Sequence, residues 1–311
     1  MKKISILFPG QNLQNLQKNL YLNIKRNIFN KTLEEASQFL NYNLLKNLKY
    51  NLPLKTKYLP YVIISISVAL YREWTKNISF IPHIMAGHSL GHYSALICSN
   101  ILSFKNALII LKKRNQIIKN SLKNISTLMY IIIGEKLSVI KKICQKVSQD
   151  YQKVSIACIN SKTQIVISGQ KIAVLKVIKF FKKKNKIYVI PLPIFLCLHC
   201  SLLKKDSKKF FTFLKHFFFQ TSKINVLCST KTKILTSSKE IKKSLYQQLY
   251  KPVLWKNTLK FIKKKNINIF IEMGFGNTLT KINFYNKIQH TYSTDPLKNF
   301  FKTMKIIKNI K

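Results

Sequence analysis

The chain has 311 residues, 47% of them hydrophobic, which is long and apolar enough to bury a sizeable core and excludes a disordered polymer. It carries 55 Lys and Arg against 9 Asp and Glu, a formal net charge of +46 at pH 7. No apolar run reaches the ~20 residues of a membrane span, and with no secretion signal the six cysteines are expected to be free thiols.

The first element is Lys3–Phe8, an apolar run that follows basic residues and breaks at Pro9-Gly10; it is too short for a signal peptide and suits a β-strand. A helix is expected over Leu33–Leu40, and a buried amphipathic one over Tyr61–Trp74. His83–Gly87 is a second strand, Phe104–Asn120 the next long helix. From about Ser126 to Leu192 the pattern runs strand (Ser126–Ile133), helix (Ser138–Ser148), strand (Val154–Ile159), strand (Gln164–Ser168), helix (Ile172–Lys184), strand (Ile187–Pro191). That β-α-β-β-α-β order is ferredoxin-like. Lys223–Cys228 and Ile267–Glu272 are further strands, with helices over Lys239–Leu249 and Asn277–Ile282. The alternation predicts an α/β protein with a mostly parallel sheet. Residues 1–125 and 193–311 are expected to form a large α/β-hydrolase-like subdomain, with a small ferredoxin-like subdomain, 126–192, inserted between them.

The basic charge points first to nucleic acid. Two features argue against it. The lysines are scattered through nearly every segment, alongside abundant Asn, Ile, Phe and Tyr, as an AT-rich coding sequence produces. Only three of the 55 basic residues are arginine (Arg26, Arg72, Arg114), the residue suited to bidentate phosphate contacts.

Gly87-His88-Ser89-Leu90-Gly91 has the G-x-S-x-G form and lies between an apolar strand and a helix-like segment from Tyr93. Such a strand-to-helix turn exposes a strained serine, making Ser89 a candidate nucleophile; on the pentapeptide alone an ordinary turn is as good a reading. A serine nucleophile needs a base. His88 and His92 flank the turn and point away from it, and His216 is expected to pack in a phenylalanine-rich helix. His199, in a Pro-bearing irregular segment after a strand, is the better candidate. None of the nine acids stands in an obvious orienting position, though Glu272 can be argued; a histidine oriented by a backbone carbonyl would need none. Cys197-Leu198-His199-Cys200 contains a C-x-x-C unit but lacks a second ligand pair, so no metal site is expected.

Phe8-Pro9-Gly10-Gln11, Gly87–Gly91 with Tyr93-Ser94-Ala95-Leu96, Arg114, Asn160-Ser161, His199-Cys200, and Gln248-Leu249-Tyr250 with Pro252-Val253 and Trp255 occur in one order. Together, as far as Glu272–Gly276, they resemble the malonyl-CoA:acyl-carrier-protein transacylase family of fatty acid synthesis. The resemblance implies that Ser89 carries the malonyl group, His199 is its base, and the backbone N–H groups of Gln11 and Leu90 form the oxyanion hole. It implies that Arg114 clamps the malonyl carboxylate and that Gln248 and Asn160 belong to the substrate-binding set. It also implies ping-pong transfer from malonyl-CoA to acyl carrier protein with no metal or redox cofactor, by a cytoplasmic enzyme expected to be a monomer and to bind neither nucleic acid nor membrane. Three departures stand out. Asn12 replaces a glycine beside the oxyanion loop, His92 replaces a glutamate after the elbow, and Cys197-Leu198 replace Pro-Ser before the histidine. A serine hydrolase that releases acyl groups to water is the rival reading, separated from the first by Arg114; a basic nucleic-acid-binding protein is the other.

Overall fold

The computed structural model describes residues 3–11, 27–50, 52, 54–148, 152–182, 184–193, 197–295 and 297–309. Asn12, and with it the expected change beside the oxyanion loop, lies outside them. The elements in chain order are β1 (Ile4–Phe8), α1 (Asn27–Leu40), α2 (Leu44–Lys49), α3 (Leu59–Asn77), β2 (Ile84–Gly87), α4 (Gly91–Cys98), α5 (Phe104–Ser121), β3 (Thr127–Ile133), α6 (Leu137–Val147), β4 (Val154–Ile159), β5 (Gln164–Gln170), α7 (Lys171–Lys182) and β6 (Tyr188–Pro191). After a long connection come α8 (Ser207–Leu214), β7 (Asn225–Cys228), β8 (Lys233–Ile234), α9 (Ser238–Gln247), α10 (Trp255–Lys264), β9 (Ile269–Glu272), α11 (Thr278–Tyr285), β10 (Thr291–Ser293) and α12 (Leu297–Lys308).

The strands form two sheets. The first has the order β10-β9-β1-β2-β7-β8 and is parallel except for the short β8. Its central strand β1 is buried at every position, as expected of a parallel strand covered on both faces. Ile4, Ile6 and Phe8 enter the core shared with α3, α4 and α5, while Leu7 enters the opposite one with Trp255, Leu259 and Phe270. The second sheet, β4-β5-β3-β6, is antiparallel throughout, and α6 and α7 pack on it around Ile140, Val174 and Phe181. This is the strand order and connectivity of a ferredoxin-like unit. The two sheets are tied where β4 meets the segment before α10: Val253 N donates to Ala157 O at 2.9 Å and Ile159 N to Val253 O at 2.8 Å. No helix among the described residues is long and apolar enough to cross a membrane.

Sequence periodicity placed most elements to within a few residues, with α1 starting six residues ahead of the expected Leu33, but missed β8, β10, α2, α10 and α12; the expected phenylalanine-rich helix is α8, which ends at Leu214, before His216. In α10 the reason is compositional. Trp255, Leu259 and Ile262 form a buried stripe at i, i+4, i+7, but the lysines between them mask it. His216 sits exposed in the turn after α8 rather than packed inside a helix.

Candidate active site

The Gly87–Gly91 turn joins β2, next to the central strand, to α4. Ser89 sits at its corner with φ of 50°, a left-handed backbone that side-chain-bearing residues usually avoid. Gly91 N donates to His88 O at 3.0 Å, His92 N to Ser89 O at 3.0 Å, and Gln248 Nε2 to the same Ser89 oxygen at 2.9 Å. The glycines permit a backbone approach that no other residue allows. A Cβ at Gly87 would stand 2.1 Å from Gly91 C and His92 N; one at Gly91 would stand 2.1 Å from Phe8 O. These obstacles are main-chain atoms, so relieving them means prising β1, β2 and α4 apart. Gly91→Ala is therefore expected to destabilise the protein by about 2 kcal/mol or more, read as a lowered denaturant midpoint; an unchanged midpoint would mean that the junction yields.

His199 faces the serine from the connection after β6. Ser89 Oγ donates to His199 Nε2 at 2.7 Å, and His199 Nδ1 donates to the Lys251 carbonyl oxygen at 3.2 Å. That second bond fixes the tautomer that leaves Nε2 free to accept a proton. The Gln248 main chain is a further partner of the ring. Glu272 takes no part: its carboxylate accepts from Leu279 N at 3.0 Å and from Thr280 N and Oγ1, both at 2.8 Å, capping α11. Burial, with the positive charge of Arg114 behind it, pushes His199 down to about 3. The imidazole is therefore neutral at pH 7, the state a general base needs.

Arg114 lies on α5, and its placement follows helical spacing. Ala107, Ile110, Leu111, Arg114, Ile117 and Ile118 share the buried face, while Lys112 on the same helix is exposed. The side chain is 3% exposed, which rules out a solvated cation. Its Nη1 donates to Asn115 Oδ1 at 3.1 Å, its guanidinium lies 5.9 Å from the Tyr93 ring centroid, and its Nε has no hydrogen-bond partner. Burial lowers its pKa, while no carboxylate among the described residues pairs with it. A buried guanidinium without a counter-ion is costly unless something else supplies the negative charge.

The remaining expected residues cluster around this pair. Leu90 caps α4, where the helix dipole favours negative charge. A Cβ at Gly10 would lie 3.4 Å from Ser89 Cβ, so the segment carrying Gln11 runs beside Ser89. Asn160 Oδ1 accepts from His88 Nε2 at 2.9 Å, and the His88 ring meets Trp255 edge-on at 5.2 Å. Asn160 thus supports the elbow from the second sheet, and Gln248 supports it from the segment after α9. His92 does not act as a titratable surface base. It is buried, donates from Nε2 to Ser244 Oγ at 2.9 Å, and is held down at about 4 by burial. Sequence reasoning missed Lys251, Ser244 and Tyr93, the groups that orient His199, His92 and Arg114.

Comparison with known proteins gives the family and the fold. Residues 30–295 match the family described as the acyl transferase domain. A malonyl CoA-acyl carrier protein transacylase of Buchnera aphidicola (subsp. Schizaphis graminum) is 37% identical over 313 residues, covering 99% of this chain and 100% of the relative. The crystal structure of FabD from Acinetobacter baumannii superposes with a TM-score of 0.92 at 27% identity, covering 100% of this chain and 99% of that one. A malonyl-transacylase in complex with its type II PKS acyl-carrier protein superposes at 0.90 and 29% identity, over 98% of this chain and 99% of that one.

Proposed function

Because the chain belongs to the acyl transferase family and, within it, to the malonyl CoA-acyl carrier protein transacylases, we propose that Ser89 is the residue through which it passes malonyl from malonyl-CoA to the phosphopantetheine thiol of acyl carrier protein, for fatty acid synthesis. His199 Nε2 takes the Ser89 proton as Oγ attacks the thioester carbonyl. The tetrahedral oxyanion accepts from the N–H groups of Leu90 and Gln11. The C–S bond then breaks, and His199 returns the proton to the departing thiol of coenzyme A. In the second half the carrier thiol gives its proton to His199 and attacks the Ser89 ester, and the serine recovers the proton. Arg114 holds the malonyl carboxylate, and a planar fork matches that carboxylate with two parallel bonds. The observation that carries this reading is the 2.7 Å Ser89–His199 bond beside a buried guanidinium that no carboxylate among the described residues pairs with.

Thioester-to-ester exchange needs a nucleophile, a base and hydrogen-bond donors, all of which the chain's own residues can supply, so on this reading no cofactor takes part. Both catalytic side chains come from one chain, which supports action as a monomer. Six free cysteines accord with a cytoplasmic setting. We read 1–125 with 193–311 as the subdomain bearing Ser89, His199 and Arg114, and 126–192 as the one bearing Asn160; the separate sheets support this division.

The test is intact-mass spectrometry after incubation with malonyl-CoA. The wild type is expected to gain one malonyl group, and Ser89→Ala to gain none. An adduct that persists in Ser89→Ala would overturn the nucleophile assignment.

A further inference from the structure

His92 is a buried imidazole that the transfer chemistry above does not use. It lies on α4, three residues past Ser89, and its ring reaches across to α9, where Nε2 lies 2.9 Å from Ser244 Oγ. The Ser244 hydroxyl gives its own proton to the Ile241 carbonyl at 2.7 Å. Its oxygen therefore accepts from His92, so Nε2 carries the ring hydrogen and Nδ1 is an acceptor. That Nδ1 is buried and has no hydrogen-bond partner among the described residues. An orphaned buried acceptor is destabilising, and an apolar ring of similar shape would avoid it. The imidazole is thus a poor choice for packing alone.

Its bond to Ser244 completes a two-point attachment of α9 to the serine turn. At the first point Gln248 Nε2 donates to the Ser89 carbonyl at 2.9 Å, beside the His92 N–H that donates to the same oxygen at 3.0 Å. At the second, one helical turn earlier, Ser244 Oγ is held by the His92 ring. The two points are rigidly joined, because Gln248 N donates to Ser244 O at 3.1 Å. The turn that follows carries the group that orients the base. Lys251 N donates to Gln247 O at 2.8 Å, and Lys251 O accepts from His199 Nδ1 at 3.2 Å. A helix end held at one point can pivot about it; held at two, its rotation is fixed.

We propose that His92, acting through Ser244, is a positioning residue for the reaction: it fixes the end of α9 so that the Lys251 carbonyl keeps His199 aimed at Ser89. The His92 ring bonds neither catalytic side chain, so its effect is carried by α9. A displacement of about 1 Å at a catalytic group costs on the order of 10²-fold in rate.

The role rests on His199 being the base of Ser89, so the experiment uses two readouts: malonyl transfer, and Ser89 labelling by a fluorophosphonate, which needs no malonyl-CoA. In His92→Phe and in Ser244→Ala, kcat and the labelling rate are both expected to fall by about 10- to 100-fold. KM for malonyl-CoA should change little, since both half-reactions use His199 and slow together. The denaturation midpoint of His92→Phe should hold, because the unpaired nitrogen goes with the ring. His92→Gln places an N–H as many bonds from Cβ as Nε2 of the imidazole, and is expected to recover most of the rate. The double variant His92→Phe/Ser244→Ala should lose no more than either single one, since each removes the same bond. Undiminished transfer and labelling in both single variants overturn the positioning role. So does a loss that His92→Gln fails to restore, or one that tracks a lowered denaturation midpoint. Wild-type protein that labels at Ser89 yet transfers no malonyl overturns the acyl-donor reading instead, and the positioning role is then decided by labelling.

Discussion

Arg114→Ala is expected to lower kcat/KM for malonyl-CoA by about 10²- to 10⁴-fold while changing acetyl transfer by less than about tenfold. The first figure follows from leaving a carboxylate buried without its partner, which costs about 3–5 kcal/mol. The second follows because an acetyl group presents no charge to the guanidinium. In the free protein Arg114 is 3% exposed and its Nε lacks a partner, so the native state already bears the desolvation of a cation that no carboxylate among the described residues neutralises. If Arg114 is the clamp, malonyl binding removes that penalty and acetyl binding does not. Steady-state kinetics with the two donors decide the matter. Equal losses for malonyl and acetyl would mean that Arg114 supports the fold of α5 and not the acyl group.

His199→Ala is the second large effect, a loss of about 10³- to 10⁴-fold in the rate of Ser89 acylation. Its companion is a pH profile. A histidine base of ordinary pKa would lose activity tenfold per pH unit below about 6.5. Burial and the neighbouring Arg114 hold His199 at about 3, so acylation in the wild type should stay flat through pH 6 and pH 5. Removing the positive charge favours the imidazolium, so Arg114→Ala should move the acid limb upward in pH. The same shift has a stability sign. The unfolded chain protonates this ring near 6.5 and the folded one does not, so stability contributed by the neutral ring is present above 6.5 and drains away as pH falls toward 3. A wild-type acylation rate that halves at pH 6.5 would contradict the assignment of a buried, neutral base.

The parts of the molecule legible in the sequence are those written in side-chain periodicity or in glycine spacing. β1 was visible as an unbroken apolar run because a parallel central strand is covered on both faces. The second sheet was visible because its strands alternate with helices of clear period. The elbow was visible because the approach of α4 to β1 admits nothing larger than glycine at 87 and 91. Arg114 shows where reading stopped short: the run Lys112-Lys113-Arg114 looks uniformly solvated, and only its registry with Ile110, Leu111, Ile117 and Ile118 places one of the three inside. That a main-chain carbonyl orients His199 was expected from the lack of a suitable acid; which carbonyl does so was out of reach. Its partner is the carbonyl of Lys251, and a main-chain oxygen leaves no mark on residue identity. At His92, which stands where the family has a glutamate, burial keeps the ring neutral, and burial is not written in residue type.

The close approach at the elbow also sets a limit on genetic drift. Glycine codons begin with two guanines, and a coding sequence drifting toward A and T loses them. The chain retains seven glycines among 311 residues, where average usage would give about 20. Three of those seven, at 10, 87 and 91, surround Ser89, each where an added carbon would meet main-chain atoms within 2.8 Å. Mutational pressure could replace most of the surface with lysine and asparagine, but around Ser89 it meets backbone atoms that no codon preference can move.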